Sequence, residues 1–150
     1  MEPMLETNLP GLLYKGKVRD TYELTPSELL FVATDRVSAF DVVMPNGVPD
    51  KGKVLCRLSA FWFDKTKHLI PNHMITLVNN VKALDPYLGR SQISQFPPYL
   101  AGRSMVVRRA ERIDVECIAR GYISGSAWAE YVQSGTVSGR KLPAGIKESD

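Results

Sequence analysis

The sequence predicts a fold that mixes short strands with one long helix, and three observations carry that expectation. Between residues 13 and 24, Lys17, Arg19, Thr21 and Glu23 alternate with Val18, Asp20, Tyr22 and Leu24, the two-residue period of a half-buried strand. Asp20 is the exception, a carboxylate among apolar neighbours. Thr25-Pro26-Ser27-Glu28 then supplies turn chemistry, and the apolar run at 29–34 reads as a second strand, so a hairpin is expected. From Lys51 the period becomes helical, with Val54, Leu55, Leu58, Phe61, Trp62 and Leu69 on one face.

The remaining elements follow in order. A third strand is expected at 40–44, ended by Pro45-Asn46-Gly47. Asp50 is the candidate N-cap of the helix and Pro71 its terminator. Short strands are expected at 74–78, 104–109 and 115–120, with a proline-rich loop at 92–102 and a polar connection at 110–114. A short helix at 127–133 ends at Gly135. Residues 136–150 show no periodic apolar pattern and stop at Lys-Glu-Ser-Asp without a capping signal, which reads as a truncated chain.

The 150 residues are 44% hydrophobic and 23% charged, an ordinary globular composition that excludes a disordered acidic tail, a collagen repeat and a mucin-like stalk. The balance of 19 basic and 16 acidic residues, +3, is too mild to imply nucleic acid but suits a pocket that gathers phosphates. Cys56 and Cys117 lie far apart without CxxC spacing, which argues for a reducing, cytoplasmic setting over a disulfide scaffold or zinc knuckle. No run approaches the roughly 20 apolar residues of a membrane span, and the N-terminus lacks the pattern of a secretory signal.

Several clusters could carry chemistry. Gly47 to Lys53 has the GxxxxGK spacing of a phosphate loop, but Val54 stands where a Ser or Thr should hold magnesium, and Pro49 removes a needed N–H. That reading is rejected. Tyr14-Lys15-Gly16-Lys17-Val18-Arg19-Asp20 sets a glycine between two lysines, which would let the backbone approach a triphosphate flanked by cations. The alternative, which spacing alone favours, is an edge strand carrying lysines against edge-to-edge pairing. Thr34 to Asp41 places acids, Arg36 and Ser38 after a buried strand, either as binding groups or as an Asp–Arg ion pair with a serine turn.

Glu116-Cys117-Ile118-Ala119-Arg120-Gly121-Tyr122-Ile123-Ser124-Gly125-Ser126 is the densest signal. A strand would deliver Arg120 to a glycine- and serine-rich loop, with Ser126 as the N-cap of a helix, the make-up of a phosphate-monoester site. The alternative is that Ser126 only caps its helix while Arg120 pairs with Glu116 or Glu130. Cys117 is expected to be a buried small hydrophobe. His68 and His73 have no acid partner in view that would make either a general base.

The eleven-residue stretch from Glu116 resembles the signature of the SAICAR synthetase family. The resemblance extends to Leu13–Glu23, residues 29–55 and the SGRKLPAGIKES segment, in order along nearly the whole chain, and is to the longer form of the family. It implies an α+β fold. An antiparallel-sheet lobe like the small lobe of protein kinases would occupy residues 1–112, and the beginning of a truncated, ATP-grasp-like second lobe residues 113–150. The nucleotide would lie between the lobes, with the 110–114 connection as the hinge under the adenine. The implied reaction is ATP-dependent ligation of L-aspartate to the carboxylate of carboxyaminoimidazole ribonucleotide through an acyl phosphate, giving SAICAR, ADP and phosphate.

The resemblance further assigns Lys15, Gly16, Lys17, Val18, Arg19 and Glu111 to ATP, and Ser38, Asp41, Arg120, Gly125 and Ser126 to substrate. Mg2+ is implied with ATP, but the family's acidic DxKxEFG motif is absent here. The catalytic groups are therefore expected downstream of Asp150, no metal ligand is assigned to this segment, and the segment alone is expected not to turn over. Two alternatives remain: a non-catalytic nucleotide-binding module of the same fold, and a small RNA-binding β-domain using Lys15, Lys17, Arg108, Arg109 and Arg112. The latter lacks interleaved stacking aromatics, and neither nucleic acid nor membrane is expected as a partner.

Overall fold

Gly16 divides the first expected strand in two. In the computed structural model, which describes residues 2–89, 92–115 and 117–150, β1 (Leu12–Lys15) and β2 (Arg19–Glu23) are separate antiparallel strands with Lys15 opposite Asp20. The chain reverses through residues 16–18, and the Gly16 N–H donates to the Arg19 carbonyl at 2.8 Å. A β-carbon on Gly16 would come within 2.6 Å of that same oxygen. Space inside the turn therefore requires the glycine, whatever ligand lies outside.

β3 (Glu28–Ala33) forms the expected hairpin with β2, Tyr22 opposite Leu30. The strand expected at 40–44 is instead part of a second hairpin, β4 (Arg36–Ala39) with β5 (Val42–Gly47). Its two-residue turn is Phe40-Asp41, both at positive φ (48° and 65°), the twist that two-residue hairpin turns favour. Helix α1 (Lys51–Thr66), β6 (Met74–Leu77) and β7 (Ser104–Arg108) follow, and the main sheet runs β1-β2-β3-β7-β6, antiparallel throughout.

One sheet face buries Tyr22, Leu30, Val32 and Val106 under Leu9, Val78, Leu84, Phe96 and Leu100, much of the cover coming from short 3-10 turns between β6 and β7. The other face packs Met105 and Val107 against Cys56, with Phe31 and Phe63 half-buried beside them. Burial pushes the Cys56 thiol up to about 11, which makes it inert as a nucleophile.

Helix α1 presents a different face from the one its sequence suggests. Val54, Leu55, Leu58, Phe61 and Trp62 are all at least 42% exposed, and Leu69 lies beyond the helix. The residues against the sheet are Gly52, Cys56 and Phe63. Gly52 sets this rotation, because only a residue without a side chain fits so close to the end of β3. The expected cap also differs. Asp50 holds the N-cap position at φ 61° but makes no capping bond and pairs with Lys53 at 2.8 Å. The Gly52 N–H is received instead by Asp35 Oδ1 at 2.9 Å. The helix ends at Thr66, whose carbonyl accepts the N–H groups of Leu69 and Ile70, well before Pro71.

The chain forms two compact units, Met1–Glu111 and Arg112–Asp150. No strand forms among the described residues of 115–120, and Cys117 is exposed rather than buried. Helix α2 (Ser126–Ser134) ends where glycine predicts: Gly135 at φ 70° donates its N–H to the Tyr131 carbonyl. The segment without periodicity forms a hairpin, β8 (Thr136–Val137) with β9 (Arg140–Lys141), too short for any period to register. Glu130 holds its turn, accepting from the Ser138 N–H and the Thr136 hydroxyl at 3.0 Å each and from the Gly139 N–H at 3.4 Å.

Tyr131 folds the following segment back, its hydroxyl donating to the Pro143 carbonyl and accepting from the Ile146 N–H. Tyr131→Phe is expected to speed amide exchange at Ile146 by up to about tenfold, the worth of one neutral hydrogen bond. Ser138, whose N–H goes to Glu130, should keep its rate. Equal acceleration at both amides would mean the unit opens as a whole, with no separate role for the tyrosine.

Candidate functional site

The turn at residues 16–18 is fixed from its buried side. Arg36, 5% exposed at the start of β4, donates to the carbonyls of Gly16 (2.8 Å), Lys17 (3.1 Å) and Leu5 (2.7 Å). Its charge is met by Asp20, 1% exposed, at 2.6 Å, so the carboxylate that stood out in the sequence is the partner of a buried arginine. Thr7 donates to Asp20 as well. The Val18 carbonyl accepts both the N–H and the hydroxyl of Thr34, at 3.0 and 2.9 Å. All three carbonyls of the turn are thus drawn toward β4 and the end of β3.

The exposed side of the turn carries the cations. Lys15 pairs with Glu6 and Lys17 with Asp41, each at 2.5 Å. The hydrogen bond and charge of Lys17 hold the Asp41 carboxyl below its ordinary range. Arg19 lies over the Phe31 ring at 4.5 Å. The structure therefore gathers Lys15, Gly16, Lys17, Val18, Arg19 and Asp41, with half-buried Ser38 nearby in the β4–β5 hairpin opposite Val43. Glu111 is exposed in the connection after β7, and no hydrogen bond ties it to this group.

Asp35 and Arg36 are not each other's partners. Asp35 pairs with Arg103 at 2.9 Å and Arg36 with Asp20, and all four side chains are buried. Burial pushes the Asp35 carboxyl up, but the N–H groups of Met4 and Gly52 and the Arg103 guanidinium outweigh it and hold the group below its usual value. Sequence reasoning missed Arg103, because a partner 68 residues away leaves no local signal.

The second group lies in the second unit. Arg120 Nη2 donates to Ser126 Oγ at 3.3 Å, both exposed. Ser126 is the first residue of α2 and not its cap. Gly125 holds the N-cap position at φ 59°, ψ −129°, a backbone conformation that suits glycine alone. Glu130 is occupied by the β8–β9 turn, and Glu116, the other partner considered for Arg120, lies outside the described residues. A β-carbon at Gly121 or Gly125 would meet nothing within 4 Å.

Of the five cations that an RNA surface would use, four are paired with acids: Lys15, Lys17, Arg109 with Glu23, and Arg112 with Asp114. His73 sits between Phe31 and Phe63, and burial lowers its pKa. Among the described residues, no cluster of three His, Cys, Asp or Glu side chains is placed to hold a metal, and no helix is long and apolar enough to cross a membrane.

Residues 12–150 match the family model described as SAICAR synthetase. Phosphoribosylaminoimidazole-succinocarboxamide synthase from Thermodesulfovibrio yellowstonii is 51% identical over 148 residues, 97% of this chain and 48% of that protein. The enzyme of the same name from Elusimicrobium minutum is 50% identical over 96% of this chain and 47% of its own. A solved SAICAR synthase from Saccharomyces cerevisiae, complexed with SAICAR, matches with a TM-score of 0.77 at 42% identity, over 100% of this chain and 50% of that one. The chain spans about half the length of the curated relatives it matches. With the family model covering all but the first eleven residues, the chain belongs to the SAICAR synthetase family.

Proposed function

We propose that this chain supplies the nucleotide-phosphate turn and a phosphate-monoester site of an ATP-dependent carbon–nitrogen ligase of purine biosynthesis. The substrates in this reading are L-aspartate and carboxyaminoimidazole ribonucleotide, joined through an acyl phosphate with release of ADP and phosphate. The observation that carries it is the 16–18 turn, with its carbonyls drawn inward and two lysines on its exposed side. In a trans peptide the N–H points opposite the carbonyl. Holding the Gly16 and Lys17 carbonyls inward thus aims the amides of Lys17 and Val18 outward, as in backbone nests that receive anions.

An incoming phosphate displaces Glu6 from Lys15 and Asp41 from Lys17. Each exposed pair contributes only about 0–1 kcal/mol, less than the charge-assisted bonds that replace it. The first unit is read as a kinase-type small lobe on its antiparallel sheet, its glycine turn between the first two strands, and its single long helix on one face. The second unit is read as the start of an ATP-grasp-like lobe. Glu111 is kept as an ATP contact on the resemblance alone. Mg2+ accompanies the nucleotide in this reading, no residue of this chain is assigned to it, and the setting is the cytoplasm.

Calorimetric titration with ATP tests the turn, in a protein of the relatives' full length that carries this chain. Lys17→Ala should weaken ATP binding about ten- to hundredfold, the range for hydrogen bonds to charged groups. Unchanged affinity in the Lys15 and Lys17 variants alike would return the segment to an ordinary edge hairpin.

The Arg120–Ser126 pair is read as the ribonucleotide's phosphate clamp. Arg120→Lys should lose much of that affinity, since an ammonium cannot reproduce bidentate geometry. The informative comparison is the imidazole nucleotide against its dephosphorylated nucleoside, in wild type and Ser126→Ala. If the substitution weakens both ligands equally, Ser126 does not touch the phosphate.

A further inference from the structure

Arg36 spends its whole hydrogen-bonding capacity inside the protein. Its Nε donates to the Lys17 carbonyl, Nη1 to the Leu5 carbonyl and Asp20 Oδ2, and Nη2 to the Gly16 carbonyl and Asp20 Oδ1. A guanidinium has five N–H donors, so none is left for a ligand. Two of the acceptors are consecutive carbonyls of the glycine turn, and the backbone that carries Arg36 begins β4, whose other end leads into the Phe40-Asp41 turn. Asp41 in turn pairs with Lys17. The turn and the β4–β5 hairpin are therefore joined twice, by a buried arginine beneath and an exposed ion pair above.

We infer that Arg36, held by Asp20, is a positioning residue that sets the glycine turn for phosphate and keeps it in register with the hairpin bearing Ser38 and Asp41. The inference rests on the nucleotide reading of the turn. Its physical content is the direction of the amides. With the Gly16 and Lys17 carbonyls anchored to Arg36, the peptide planes are fixed and the N–H groups of residues 17 and 18 keep one orientation. Without the anchor each plane is free to rotate, and the turn must be ordered again for every phosphate it binds. Thr34 anchors the next carbonyl, that of Val18, through its hydroxyl and N–H, and so holds the last peptide plane of the turn, the one that carries the Arg19 N–H. A lysine at position 36 keeps the charge for Asp20 but cannot reach both carbonyls with a rigid fork. The sequence shows no trace of this, since Arg36 lies 20 residues from Gly16 and beside the acids Asp35 and Asp41.

The test separates positioning from mere stability by comparing a ligand that needs the turn with one that does not. In a protein of the relatives' full length carrying this chain, calorimetry gives Kd for ATP and for adenosine in wild type, Lys17→Ala, Arg36→Lys and Thr34→Val. Arg36→Lys should raise the Kd for ATP about tenfold or more and leave that for adenosine unchanged, the loss expected when charge-assisted bonds no longer form in a prepared geometry. Thr34→Val, which keeps the N–H bond to Val18, should act the same way by about threefold.

Equal weakening of both ligands, or of neither, in folded Arg36→Lys overturns the inference. If Arg36→Lys does not fold, Thr34→Val decides by the same ratio. A wild type that binds ATP no better than adenosine overturns the nucleotide reading and the inference together. A wild type with the expected preference, sensitive to Lys17→Ala but indifferent to Arg36→Lys and Thr34→Val, overturns the inference alone.

Discussion

Replacing Asp35 with alanine should lower the unfolding free energy by about 3–5 kcal/mol, the cost of leaving a buried ion-pair partner uncompensated. Asp35 is 1% exposed, and its carboxylate accepts from Met4 N at 2.8 Å, Gly52 N at 2.9 Å and Arg103 Nη1 at 2.9 Å. Alanine would strand two backbone donors and leave the buried Arg103 guanidinium, 4% exposed and with its Nε already lacking a partner, only Asp50 at 3.9 Å as a counter-charge. Three connections fail together: the N-terminal segment at Met4, the start of α1 at Gly52, and the approach to β7 at Arg103. The effect carries a pH signature. The folded carboxyl titrates below its usual value, so its contribution is complete above the unfolded value of about 3.9 and is lost as pH falls through the folded one. Urea unfolding at pH 7 and again near pH 3 should therefore show a large gap between wild type and Asp35→Ala that narrows in acid. A gap under about 1 kcal/mol at neutral pH would mean that water or a rearranged Arg103 replaces the carboxylate without difficulty.

Local periodicity and turn chemistry made much of the secondary structure legible. The β2–β3 hairpin, β6, β7 and the glycine end of α2 depend on neighbours in sequence, and the alternation of Arg19 to Glu23 reports the sheet directly. The rotation of α1 was not legible, because its more apolar face points outward and one small residue, Gly52, decides which side meets the sheet. The strand expected at 115–120 shows the opposite error: none of its described residues lies in a strand, since a short extended run needs a neighbouring strand to pair with. At the candidate site, Gly16 with its lysines and Arg120 with Ser126 could be read because each is a short-range pattern. The arginines that hold the scaffold could not. Asp20 was the one visible sign of them, a charge at a core position that had to find its opposite somewhere.

Gly52→Val is expected to be the most damaging of the glycine substitutions, at about 3 kcal/mol, the upper part of the range for overpacking. A β-carbon at this position would lie 2.2 Å from the Ala33 carbonyl oxygen, 2.8 Å from its carbon and 3.0 Å from the Thr34 oxygen. Each of these atoms is backbone at the end of β3, so no side chain can swing aside. The helix itself must retreat, and with it the Gly52 N–H that Asp35 receives and the Cys56 and Phe63 contacts along the same stripe. Helix propensity pulls the other way, since every residue but proline outranks glycine inside a helix, but that gain is under about 1 kcal/mol. Gly52→Ala calibrates the balance: it takes the full propensity gain, adds one carbon to the clash, and should still unfold at lower urea than wild type. Because residues 34–36 continue directly from the atoms that are struck, the proposed nucleotide reading adds that the valine variant, in a protein of the relatives' full length, should bind ATP more weakly wherever it remains folded. An Ala variant as stable as wild type would show that α1 can slide on the sheet, and that Gly52 does not set which face of the helix is turned inward.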